Sequence, residues 1–219
     1  SSDQEIVITQ RGIENTALVD VDDRSRFNRI DLVQGGRNNL FDMSDDSDGV
    51  DDKSNRNEVT AVQAGKNNIA VVELRDESRR NLVGIDQLST DSEIRLSVTE
   101  GVRNTFEVTQ AKDQSNNFAA IELEATSRNT VAITQNGSFN TVDLGLADGA
   151  QGIFGNGNTV TITQELDGNT VELLVQGSDN LFTATQGEAS TIVAAQYGDA
   201  NVMTLAQVGM NNAIYATQR

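Results

Sequence analysis

Apolar residues in this chain alternate with polar ones over short stretches, and amides bracket the stretches. The clearest is Asn129-Thr-Val-Ala-Ile-Thr-Gln135, repeated almost unchanged as Asn158-Thr-Val-Thr-Ile-Thr-Gln164. A period of two marks a β-strand, in which alternate side chains share a face. Asn129, Val131, Ile133 and Gln135 then point one way, and Thr130, Ala132 and Thr134 the other. Two apolar residues between two amides suit a core in which an equivalent strand lies above and below.

The frame recurs along the whole chain. Gln10, Gln34, Gln63, Gln87, Gln110, Gln135, Gln164, Gln186 and Gln207 close nine such stretches. Six residues upstream, Asn28, Asn57, Asn81, Asn104, Asn129, Asn158, Asn180 and Asn201 open eight of them, and Gln4 opens the first. Each pair encloses two inward apolar residues, such as Ile30 and Leu32, Phe106 and Val108, or Met203 and Leu205. After a turn rich in Gly, Asn and Asp, a second alternating stretch begins at Asn15, Asn39, Asn68, Ser92, Asn117, Asn140, Asn169, Ser190 and Asn212. Its inward positions are apolar too: Ala70, Val72 and Leu74, or Val171, Leu173 and Val175. The last two of these stretches close on Gln196 and Gln218.

The pattern predicts nine strand–turn–strand units in a single domain. Their approximate bounds are 4–21, 28–45, 57–74, 81–98, 104–123, 129–146, 158–175, 180–196 and 201–218. A period of about 25 residues lies in the range of solenoids. One unit cannot fold alone, because ordering its backbone costs roughly 1–2 kcal/mol per residue. Its four or five inward apolar residues recover about 1.5–3 kcal/mol each. Stacking supplies the rest. The expected fold is therefore all-β: a β-solenoid of two parallel, in-register sheets of the cross-β, amyloid-like kind, stacking head to tail into a filament. A buried amide stacked on an identical amide donates to one layer and accepts from the other, which avoids a penalty of about 1–3 kcal/mol. It also fixes the register. Two longer connections interrupt the series: 46–56 is acidic, and 147–157 is Gly-rich around Ile153-Phe154.

Composition narrows the chemistry. The 219 residues include no Cys, His, Pro or Trp, and only 4% are aromatic. Imidazole and thiolate are thus excluded as base, nucleophile or metal ligand, and the carboxylates are spread along turns rather than gathered in a cleft. No enzyme activity and no cofactor are expected. The net charge of −17 repels phosphate and anionic lipid, so nucleic acid and membrane insertion are not expected either. Asp46, Asp48, Asp51 and Asp52 resemble part of a calcium loop but lack its full alternation and its bidentate Glu. A plain acidic loop is the simpler reading. Outward positions are charged in the first half (Glu5, Arg29, Asp31, Glu58) and Thr-rich in the second (Thr130, Thr159, Thr161, Thr163), as befits a solvated face.

The frame Gln-x-Gly-x-x-Asn-x-apolar-x-x-x-Gln appears as Gln196-Tyr-Gly-Asp-Ala-Asn201-Val-Met-Thr-Leu-Ala-Gln207 and again from Gln207 through Asn212 to Gln218. It resembles the curlin family, the subunits of curli-type functional amyloid. Features of both the major and the nucleator-type members are present, since the closing Thr217-Gln218-Arg219 is similar to the end of the nucleator type. The resemblance implies a secreted subunit, its signal peptide removed, that polymerises on the bacterial surface into biofilm-matrix fibres and contributes to adhesion. It also implies a nucleator subunit and an outer-membrane secretion channel as partners. The units here are longer than typical curlin repeats, the second-strand Gln is mostly replaced by Val or Leu, and the family's Gly/Asn-rich export segment is not evident. The frame runs from Gln4 to Gln218 without a capping unit, so the end units should pair with further copies of the chain. The alternative is a monomeric β-solenoid adhesin or a calcium-dependent surface-binding module.

Overall fold

The computed structural model describes residues 4–19, 27–43, 56–72, 79–97, 101–122, 127–144 and 152–219. Among them there is no helix, and nine two-strand rungs stack on one another. In chain order the rungs are β1 (Glu5–Gln10) with β2 (Thr16–Leu18), β3 (Arg29–Gln34) with β4 (Leu40–Asp42), and β5 (Glu58–Gln63) with β6 (Ile69–Val72). Next come β7 (Leu82–Gln87) with β8 (Glu93–Ser97), β9 (Thr105–Gln110) with β10 (Phe118–Glu122), and β11 (Thr130–Gln135) with β12 (Thr141–Asp143). A short β13 (Gly152–Phe154) follows. The series closes with β14 (Thr159–Gln164) and β15 (Thr170–Gln176), β16 (Leu181–Gln186) and β17 (Thr191–Tyr197), and β18 (Val202–Gln207) and β19 (Ala213–Gln218).

The first strand of every rung joins one parallel sheet, ordered β1-β3-β5-β7-β9-β11-β14-β16-β18. The second strands form the other, ordered β2 to β19 in the same sense. Register is strict. Gln10 pairs with Gln34, Gln34 with Gln63, and so on to Gln186 with Gln207. The inward columns of the two sheets meet in one continuous core that includes Ile30, Leu32, Phe106, Val131, Ile133, Val171, Leu173 and Phe182, each at most 1% exposed. The alternation read from the sequence thus becomes a buried seam between two parallel sheets, with Thr and charged residues outside. Leu74, Leu146 and the four aspartates of the acidic connection lie outside the described residues.

The Gly-rich connection holds a feature that its composition conceals. β12 pairs with the first half of β15 (Thr141–Asp143 against Thr170–Glu172), and β13 pairs with the second half (Gly152–Phe154 against Leu174–Gln176). Two separate pieces of chain therefore make one strand of the sixth rung, and Ile153 fills the core column beside Val175 with no exposure. The insertion interrupts a strand instead of following it, so the rung stays complete.

The turns are packed as tightly as the strands. Gly155, Gly177 and Gly198 stack on one edge, and a Cβ on Gly177 would sit 2.0 Å from the Gly198 carbonyl oxygen. Gly177 also has φ +122°, where only glycine is at ease.

Candidate assembly site: amide ladders and end rungs

The glutamines form an unbroken ladder. Each Nε2–H donates to the Oε1 of the glutamine on the next rung, from Gln10 through Gln34, Gln63, Gln87, Gln110, Gln135, Gln164 and Gln186 to Gln207, at 2.6–3.1 Å. The seven interior members are fully buried. The second Nε2 hydrogen crosses the core to a backbone carbonyl of the opposite sheet. Gln63 reaches Leu40, Gln135 reaches Phe118 and Gln186 reaches Thr170, at 2.9–3.0 Å. One side chain thus links rung to rung and sheet to sheet. In the second sheet a shorter ladder begins near the end, where Gln196 donates to Gln218 at 3.3 Å.

The asparagines form a ladder of another kind. Amide-on-amide bonds of the expected kind join Asn81 to Asn57 at 3.3 Å and Asn39 to Asn15 at 3.2 Å, and in addition the Oδ1 of each accepts the backbone N–H of the asparagine one rung on. The series runs Asn28 to Asn57, Asn57 to Asn81, Asn81 to Asn104, Asn104 to Asn129, Asn129 to Asn158, Asn158 to Asn180 and Asn180 to Asn201, at 2.8–2.9 Å. Gln4 Oε1 accepts from Asn28 in the same way. The Nδ2 groups turn to the corner, with Asn81 donating to the Gly101 carbonyl, Asn158 to Gly177 and Asn180 to Gly198. Asn15, Asn39, Asn68, Ser92, Asn117, Asn140 and Asn169 repeat the device at the other corner, with the Ser92 hydroxyl taking the place of an amide oxygen. Asn212, on the last rung, is exposed and donates to its own turn at Val208.

The cause is a backbone kink that the sequence does not announce. Every strand-opening Asn or Ser at these two corners follows a residue in the left-handed region, with φ between +46° and +71°. Such a residue breaks the alternation of the strand, so the next N–H faces the preceding rung without a backbone carbonyl to meet it. A buried N–H left there would cost about 1–3 kcal/mol. The asparagine Oδ1 below supplies the acceptor. Because Phe27, Arg128, Phe139 and Ala189 occupy kink positions as well as glycines, no glycine signal marks them.

Both ladders have a direction, and the end rungs therefore differ. Gln10 donates inward to Gln34, which leaves its Oε1 facing away from the stack. At the other end Gln207 accepts from Gln186 and donates to the Thr191 carbonyl, which leaves one Nε2 hydrogen facing outward. Asn201 gives its N–H to Asn180 and keeps its Oδ1 for a rung beyond. The core residues Ile6 and Ile8 of the first rung are 45% and 43% exposed, although their columns are buried on the rungs between the two ends. One end offers donors where the other offers acceptors, at matching places in one frame. Among the described residues no three Asp, Glu, His or Cys side chains gather closely enough to hold a metal ion, and Asp46, Asp48, Asp51 and Asp52 lie outside those residues.

Residues 126–165, which hold the two near-identical strands β11 and β14, match the family model described as "Curlin associated repeat". No curated protein and no solved structure matches the chain. The match covers a minor part of the chain, but the fold extends the same rung on both sides of it.

Proposed function

We propose that the chain is a structural subunit of a curli-like extracellular fibre, and that it polymerises by placing the first rung of one copy on the last rung of another. The observation that carries this reading is the polarity of the ladders. Gln207 Nε2 of one copy would donate to Gln10 Oε1 of the next, and the residue-4 N–H would meet Asn201 Oδ1, continuing the interior pattern without a break. Ile6 and Ile8 would land on Met203 and Leu205, completing the two inward columns. A head-to-tail contact of this kind does not close on itself and yields a filament.

The role is mechanical rather than catalytic, at the bacterial surface and in the biofilm matrix, where such fibres support adhesion. The curlin-associated repeat supports this setting. A nucleating subunit and an outer-membrane secretion channel are the further partners the reading entails.

Electron microscopy and fibre diffraction of the purified chain after quiescent incubation test the proposal. Unbranched fibres with a meridional spacing of about 4.7 Å are expected. Thr204→Pro removes an outward-facing N–H at the edge of β18 without touching the core, and it should block growth at that end. A chain that stays monomeric under all conditions, or a proline variant that grows as fast as the parent, overturns it.

A further inference from the structure

Rungs three to six carry an arginine at one and the same corner. Arg56, Arg80, Arg103 and Arg128 each directly precede the asparagine that opens the first-sheet strand. All four are exposed and have φ between +58° and +61°. The strands that follow are in strict register, so the four side chains leave one edge of the solenoid in a single row, one per rung. The rungs rise by about 4.7 Å.

Such a row needs a reason. A left-handed position costs an ordinary residue about 1–2 kcal/mol, a cost that Gly or Asn largely avoids, yet arginine occupies it on four successive rungs. Like charges so close repel one another. No described residue neutralises them: Arg80, Arg103 and Arg128 form no ion pair with any described residue, and Arg56 lies 5.7 Å from the centre of the Phe27 ring instead. Between Arg103 and Arg128 the edge opens into a cavity of about 300 Å³, lined also by Val102, Ser127 and Asn156. In a chain of net charge −17 this is a local reversal of sign.

We propose that this edge binds an extended, carboxylate-bearing polysaccharide lying along the stack, one uronate ring to a rung. Guanidinium and carboxylate planes match as a two-bond fork, which an ammonium cannot imitate. A linked pyranose is about as long as a rung is high, and although successive rings turn about the chain axis, the long, flexible arginine side chains can reach the carboxylates on either side of it. A nucleic acid duplex brings one phosphate per about 1.7 Å of axis, too dense for a single row and opposed by the acidic surface around it. The row ends where the corner position becomes Gly157 and then Asp179, a carboxylate that repels the polymer and limits the footprint to about four sugars per chain. The row lies within one chain, so the inference does not depend on polymerisation.

The test is calorimetric titration of the full, soluble chain with a short oligogalacturonate, a neutral dextran oligomer and a DNA duplex in turn. Arg80→Asn, Arg103→Asn and Arg128→Asn are combined in one variant, since asparagine tolerates the left-handed backbone and circular dichroism can verify the fold. Arg11→Asn, at another corner, is the control. Oligogalacturonate should bind, more weakly as salt rises. The triple variant should lose about tenfold or more in affinity, with each exposed pair contributing modestly, while the control and the dextran show no change and no binding. Absence of binding by the parent chain, or undiminished binding by the triple variant, overturns the proposal. Tighter binding of DNA than of uronate at equal charge overturns the assignment of the polymer. So does light scattering that shows the row pairing chains side by side with no sugar present.

Discussion

Gln135 shows what a single amide does in this fold. It accepts from Gln110 at 2.9 Å and donates to Gln164 at 3.0 Å, to the Phe118 carbonyl at 2.9 Å and to the Asn140 carbonyl at 3.1 Å. Gln135→Leu fits the column by size but strands the Gln110 donor and the Gln164 acceptor in a core closed to solvent, while the Phe118 carbonyl keeps its place in the parallel ladder with β12. At about 1–3 kcal/mol for each stranded group, a total loss of about 3–5 kcal/mol is expected. Gln10→Leu, on the exposed first rung, should cost under about 1 kcal/mol by the same reasoning. Urea unfolding of the soluble chain at low concentration checks both, and equal losses would show that the ladder is incidental. The glutamine ladder was legible in the sequence because glutamine seldom forms turns, and its recurrence therefore had to mean something else. The backbone partner of the asparagines was not legible. Asparagine is at home both in turns and in ladders, and only the left-handed residue before it decides which backbone group it serves.

Those left-handed corners belong to the scale of the strand–turn–strand element. Phe139 has φ +59° and an exposed ring that contacts little, so it bears backbone strain with small compensation from burial. Phe139→Gly is expected to raise stability by about 1 kcal/mol, the cost of the left-handed conformation less the entropy of glycine. Asn116→Gly, at the same kind of corner one rung earlier (φ +55°), should change little, because asparagine is already at ease there. Thermal unfolding of the two variants side by side distinguishes strain relief from a general effect of glycine. The split strand of the sixth rung makes the complementary point. Thr141–Asp143 and Gly152–Phe154 share one row in the sheet, yet the residues between them read as a Gly-rich connection. Hydrophobic periodicity is a local signal, and a strand assembled from two pieces breaks the local period even though it keeps the core column filled.

At the scale of the whole molecule, the electrostatics of stacking can be read from the frame. If residue 4 of one copy takes the place after Asn201 of another, Glu5 faces Val202, Val7 faces Thr204 and Thr9 faces Ala206, while Thr16 faces Ala213 and Leu18 faces Tyr215. Among the paired strand residues Glu5 is the one charge, with Arg11 and Glu14 of opposite sign on the turn between the strands, and Glu5 already lies 3.8 Å from Arg29 of its own chain. The local contact is therefore nearly indifferent to salt. The approach is not, because two bodies of net charge −17 repel over a Debye length, about 10 Å at 0.1 M salt and about 3 Å at 1 M. Fibre growth, followed by dye fluorescence from preformed seeds, should accelerate steeply as salt rises from low millimolar to about 0.1 M and then level off once screening is shorter than the height of two rungs. Lowering the pH should act in the same direction by neutralising carboxylates. The stability of the fibre against dilution should change far less than the rate, since the junction itself is apolar and amide-bonded. Growth that slows as salt is added would mean that attraction between opposite charges, not the ladder-to-ladder contact, brings the copies together. The row from Arg56 to Arg128 against the acidic corner at Asp179 would then be the place to look for it.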